Sequence, residues 1–204
     1  ADLRVEKLLQ KMAEKGVEVI FILSAFDSVP YRTLIGTDSY QCGRSTGEAV
    51  REALGADGAV GIIKWKDNLI ETVEDRYHGV VDVLKENRIP YYDMTGPGEP
   101  TAEEATKLTD RLLTEHPDIS VLCATNVGWG LAFARYLKSK GKKVKLVTVD
   151  FTDEVGEFMK AGYVDAAIAQ RPESWGSMTL EKIEAVFEGR SIPKTIDTGT
   201  YPVT

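Results

Sequence analysis

Two spacings of apolar residues alternate along the chain. Short, β-branched runs read as buried strands over Val17–Ser24, Ala59–Trp65, Ile89–Met94, Ile119–Ala124, Val144–Asp150 and Ala166–Gln170. A strand covered on both faces needs apolar residues on both, so its pattern is continuous rather than alternating. The segments between them carry apolar residues at helical spacing: Val5, Leu8, Leu9 and Met12; Val73, Val80, Val81 and Leu84; Ile183, Val186 and Phe187. Thr101-Ala-Glu-Glu104 has the form of a capping box ahead of Ala105 and Leu108. Gly55, Gly141, Gly162 and Gly189 stand where helices would stop. Strands alternating with helices imply βαβ crossovers, and hence a Rossmann-like, doubly wound α/β fold with parallel sheets.

Two stretches break the rhythm. Phe26–Asp38 holds only a short apolar run, Thr33–Ile35, followed by a turn. After Gln170 comes Arg171-Pro-Glu-Ser174, then a long helix, then the tail Ile192–Thr204. Pro193 and Pro202 exclude a central strand over the whole of that tail. These breaks are candidate crossings between two lobes.

The 204 residues suffice for one domain or two small lobes, and the net charge of −7 turns the chain away from nucleic acid and anionic membrane as direct partners. Cys42 and Cys123 read as packed thiols, with a single disulfide the other option. With only His78 and His116 and no CxxC spacing, a metal site is not expected. No apolar stretch reaches the ~20 residues needed to span a bilayer. The start at Ala1 is polar and charged, so the expectation is either a cytoplasmic chain or one whose leader has been removed.

Ligands of open parallel sheets bind beyond the carboxyl ends of the strands. At those ends stand Trp65 with Lys66, Thr95 with Gly96, Asn126, Asp150 and Gln170, with Arg76 early in the helix after Lys66–Leu69. Amides and carboxylates accept from hydroxyls, amides also donate, and Arg donates a fixed fork. The set suits a neutral polyhydroxylated ligand and makes a poor phosphate cradle. Each residue also has a plainer role open to it. Asn126 and Asp150 are good helix caps, an isolated helical Arg is ordinarily solvated, and Trp129 is more often core than platform. No GxGxxG, GxxxxGK[ST], HExxH or GxSxG is present, so no enzyme class is indicated and no cofactor is expected.

The order Ile35-Gly-Thr-Asp38, Gly43-Arg44, Arg76-x-x-Gly79, Ala124-Thr-Asn126, Val149-Asp150 and Ala167-Ile-Ala-Gln170 resembles the type I periplasmic sugar-binding proteins of ABC importers and the effector domains of lactose-repressor-type regulators. The resemblance implies a two-lobed, non-catalytic protein that closes on a sugar-like solute, is read by an ABC transporter permease, and works outside the cytoplasm, periplasmic or lipid-anchored. The alternative it leaves open is the sensing domain of a transcription regulator or membrane receptor. It implies ligand contacts from Arg76, Asn126, Asp150 and Gln170, with Asp27 (or Ser24) from the other lobe. Asn126-Val127 stands where the family commonly has Asn-Asp, and Thr72 where it often has Asn. Both departures point to a solute other than ribose or galactose, with Trp65 and Trp129 as stacking surface. The implied lobes are a partial N-lobe, 1–38 with 171–194, and a complete C-lobe, 39–170, with 195–204 a returning hinge strand. At roughly 30 residues per βα unit, about 90 residues of the family's N-lobe would precede Ala1. A partial lobe exposes sheet edge and apolar face, which invites a homodimer.

Overall fold

The computed structural model describes residues 3–55, 57–66, 71–141 and 143–204. The elements in chain order begin with α1 (Leu3–Glu14), β1 (Ile20–Ile22), β2 (Thr33–Gly36), α2 (Ser39–Leu54), β3 (Ala59–Trp65) and α3 (Glu71–Glu86). Next come β4 (Tyr91–Gly96), α4 (Ala102–Glu115), β5 (Ile119–Ala124), α5 (Val127–Lys140) and β6 (Lys145–Val149). The last are α6 (Asp153–Lys160), β7 (Ala166–Ala169), α7 (Pro172–Phe187), β8 (Thr195–Asp197) and β9 (Tyr201–Val203). Residues 67–69, expected to lead into the third helix, lie outside the described residues.

By compactness the chain divides into Ala1–Asp38 with Gln170–Thr200, and Ser39–Ala169 with Tyr201–Thr204. Gln170 therefore falls with the first unit, although the sequence reading ran the second to residue 170. The tail is not one returning strand. It forms β8 in the first unit and β9 in the second, with Gly199 (φ 68) in the intervening turn.

The first unit holds a three-stranded parallel sheet in the order β1-β2-β8. The expected strand over Val17–Ser24 is only three residues long. Leu23 takes φ 72, a left-handed conformation costly for a γ-branched side chain, and this ends the strand. Thr33–Gly36, where the sequence shows a short apolar run, Thr33–Ile35, before a turn, is the central strand of this sheet. Gly36 is needed there, because a Cβ would come within 2.9 Å of the Leu23 backbone.

The second unit is a six-stranded sheet in the order β4-β3-β5-β6-β7-β9. Its first five strands are parallel, and β9 runs antiparallel on the edge. Pro202 is tolerated in β9 because an edge strand needs only one side of its ladder. Alternate residues of each strand feed two cores. Val60, Ile62, Val121, Cys123 and Val147 pack with Tyr77, Val80, Val81 and Leu84 of α3 and Val50 of α2. Ala59, Ile63, Ile119, Leu122 and Leu146 pack with Leu112 of α4 and Trp129, Phe133 and Leu137 of α5. Helices on both faces make this the doubly wound arrangement expected. The capping box of α4 forms between Thr101 and Glu104, and α5 closes at Gly141 with φ 61.

Candidate functional site

The carboxyl ends of β3, β5 and β6 lie side by side, since β3 pairs with β5 and β5 with β6. Ile62 is level with Cys123, and Ala124 with Thr148. Carried forward, these registers put Trp65, Asn126 and Asp150 at one height, on strands spaced about 5 Å apart. Gln170 follows β7 directly and is half-buried.

Asn126 ends β5 and caps α5. Its Oδ1 accepts from the Trp129 N–H at 3.0 Å, which satisfies one of the helix's orphan donors. That bond fixes the amide, leaving Nδ2 buried and without an acceptor among the described residues. The capping role and the ligand role weighed from sequence are thus compatible in one side chain. Asp150 behaves differently. The N-cap of α6 is Thr152, whose Oγ1 accepts from Val155 N at 3.3 Å. Asp150 instead turns the chain off β6 with φ 69, its N–H donating to Ile168 O at 2.9 Å. Left-handed residues other than glycine are uncommon, and Asp is one of the few types that tolerate the conformation.

Arg76 is not a solvated helix charge. It is 5% exposed, and its Nη1 donates to Thr125 O at 3.4 Å, beside Asn126. Its Nε is buried with no acceptor among the described residues. What brings α3 this close is a pair of glycines whose role the sequence did not disclose. A Cβ on Gly43 of α2 would lie 2.1 Å from Arg76 O, and one on Gly79 of α3 would lie 2.3 Å from Tyr40 O. The two helices touch backbone to backbone at Gly43 and Gly79. The Arg-x-x-Gly spacing was visible, but which helix it met was not.

The tryptophans part company. Trp129 is fully buried, tilted against Phe133, and its Nε1 donates to Pro97 O at 2.9 Å. It is a core residue, and the expectation that it supplies ligand surface is corrected. Its volume fills the space that Gly96 leaves, where a Cβ would come within 2.8 Å of the indole. Trp65 is half-buried, with its ring beside Gly98 and its Nε1 lacking an acceptor among the described residues. Asp27 lies in an exposed turn of the first unit.

Cys42 and Cys123 are buried and not joined in a disulfide, and burial pushes the Cys123 thiol up to about 12, so it carries no thiolate at neutral pH. Among the described residues, no group of three or more His, Cys, Asp or Glu is placed to hold a metal ion. What the rim offers is hydrogen bonding from Arg76, Asn126 and Asp150.

A family model described as "Periplasmic binding protein domain" matches residues 4–191. The ribose import binding protein of Bacillus subtilis is 23% identical over 188 residues, covering 89% of this chain and 58% of the relative. That of Haemophilus influenzae is 25% identical over 167 residues, covering 79% of this chain and 55% of the relative. The chain therefore spans somewhat more than half the length of these relatives. The crystal structure of an ABC transporter solute-binding protein from Burkholderia graminis, in complex with D-arabinose, superposes with a TM-score of 0.84 at 24% identity, over 98% of this chain and 71% of that one. At that identity the likeness speaks for the fold.

Proposed function

The chain belongs to the periplasmic binding protein domain family, of type I, and on that premise we propose that it binds a neutral sugar at the carboxyl rim of its six-stranded sheet. In this reading it is the solute-binding component of an ABC-type import system. It takes up and releases the sugar unchanged, works outside the cytoplasm and hands its cargo to a membrane permease. Relatives named for ribose import, and a neighbour holding D-arabinose, support a sugar as the class of ligand. Arg76, Asn126, Asp150 and Gln170 are the proposed contacts, with Asp27 of the first unit as a further candidate. The two units are read as a C-lobe, Ser39–Ala169, and part of an N-lobe.

The observation that carries the proposal is the pair of buried donors, Arg76 Nε and Asn126 Nδ2, that find no acceptor among the described residues. A buried donor without a partner costs about 1–3 kcal/mol, and native proteins leave few of them. A sugar oxygen removes that cost, whereas an apolar ligand does not. Asp150 then accepts from a sugar hydroxyl, which the cationic Arg76 cannot do. Isothermal titration calorimetry against D-ribose, D-arabinose, D-tagatose and a set of amino acids tests this reading. Saturable heat with at least one sugar is expected. Heat with an amino acid and none with any sugar would sink it.

The first unit bears on assembly. α1 has no buried residue, with Leu3 67% and Leu8 58% exposed, and α7 leaves Phe187 87% exposed. Large apolar side chains left bare on two helices of one unit suit a partner surface. We read it as the face of a homodimer, which sedimentation equilibrium would reveal as twice the chain mass; a monomer at all concentrations rejects it.

A further inference from the structure

Three side-chain donors at the carboxyl ends of β3 and β5 and on α3 share one property. Asn126 Nδ2, Arg76 Nε and Trp65 Nε1 are all buried, and none has an acceptor among the described residues. Trp65 ends β3 and Asn126 follows β5, each three residues beyond the last paired positions of these adjacent strands, Ile62 and Cys123. Arg76 joins them through its bond to Thr125 O. Each of these atoms can only donate. All three therefore call for ligand atoms that accept.

The Trp65 ring is not free to act as a platform in the ordinary way. Its six-membered ring lies against Gly98, where a Cβ would come within 3.1 Å of Cε3 and Cζ3, and the side chain packs on the core below. The backbone is held as well, since the β3–β4 ladder runs through Trp65 to the Lys66 N–H, which donates to Gly96 O at 2.8 Å. A side chain fixed on both counts presents its N–H in a constant direction, as a specificity contact requires.

We propose that Trp65 is a specificity-determining residue that acts through its indole N–H, donating to one oxygen of the bound sugar rather than stacking on its ring. The proposal rests on the sugar-binding reading. It also assigns the ligand an orientation: oxygens that accept face Trp65, Asn126 and Arg76, and a hydroxyl that donates faces Asp150. A sugar lacking the oxygen that meets Trp65 gains nothing from the indole N–H.

The test is calorimetry of the protein and its Trp65→Phe variant, which keeps a ring and removes the N–H. The ligands are the tightest binder among D-ribose, D-arabinose and D-tagatose, and the monodeoxy analogues of that sugar. The variant is expected to bind the parent sugar about tenfold more weakly. One deoxy analogue is expected to bind both proteins equally, because the contact is already missing. In the unsubstituted protein, the Trp65 indole N–H signal should shift downfield on sugar addition in a ¹H–¹⁵N spectrum, a measurement that does not depend on how the variant folds. An unshifted indole signal on saturation overturns the proposal. So does an equal loss across the parent and every analogue, which marks a packing role. Unchanged affinities throughout overturn the donor role while leaving sugar binding intact. Failure of the unsubstituted protein to bind any of the three sugars overturns the sugar reading and this proposal with it.

Discussion

Replacing Gly43 with Ala tests the physical device that positions Arg76. The added Cβ would sit 2.1 Å from Arg76 O and 2.7 Å from its Cα, against an ordinary contact of 3.4 Å or more. The helices must part by about 1.3 Å, the difference between 3.4 and 2.1 Å. Both obstructing atoms are backbone, so no rotamer change relieves the clash. Overpacking of this kind costs about 1–3 kcal/mol. The upper end is expected here, because the α2–α3 contact also closes the core of Val50, Val80, Val81 and Leu84. At about 2–4 °C per kcal/mol for a protein of this size, scanning calorimetry should show a drop of about 6–12 °C. Sugar affinity should fall as well, because Arg76 is carried away from Thr125 O. Gly176→Ala in α7, where nothing lies within 4 Å of the new Cβ, serves as the control and should be neutral or slightly stabilising. A Gly43→Ala protein that melts within about 2 °C of its parent would refute the close-crossing argument, since 2 °C corresponds to under about 1 kcal/mol.

Asn126 separates stability from binding. Asn126→Ser keeps a good N-cap and should leave the melting temperature nearly unchanged, whereas Asn126→Ala should cost about 1 kcal/mol; both should lose about tenfold or more in sugar affinity, and equal stability of the two variants would contradict the capping role. Burial raises the Cys123 thiol to about 12 from an ordinary 9.0 and moves the hydroxyls of Tyr77 and Tyr136 upward in the same direction, mainly by desolvation. For acids kept neutral in the fold, the stabilisation is intact below the unfolded values and is lost as the pH rises through the window up to the folded ones. The melting temperature should therefore hold to about pH 8.5 and fall from about pH 9 upward, and a profile flat to pH 11 would contradict it. Both cysteines should resist a thiol reagent at pH 8 until urea unfolds the chain.

Much of the second unit is legible in the sequence, because its strands are covered on both faces. The continuous runs at Ala59–Trp65 and Ile119–Ala124 match β3 and β5 residue for residue. The first unit is harder to read. Its sheet has three strands of three or four residues, too short for a periodic pattern, so the sequence shows Thr33–Ile35 only as a short apolar run before a turn and 195–204 as one returning strand. The turn at Leu23 depends on a backbone conformation that leucine does not advertise. At the rim, strand-end logic pointed to Asn126 and Asp150, and the start of the following helix to Arg76. It could not say that Trp129 would be swallowed by the core, since its depth is set by Gly96 across the sheet. Nor could it give the height of Trp65 relative to Asn126, which depends on the register of two strands more than fifty residues apart.

The buried donors at the rim, without acceptors among the described residues, are proposed to hold a sugar. A crystal structure of the protein grown with D-arabinose tests this most directly. Sugar oxygens are expected within about 3 Å of Arg76 Nε and Asn126 Nδ2, with a hydroxyl against the Asp150 carboxylate. A sugar seated elsewhere, with those two nitrogens still lacking an acceptor, would contradict it.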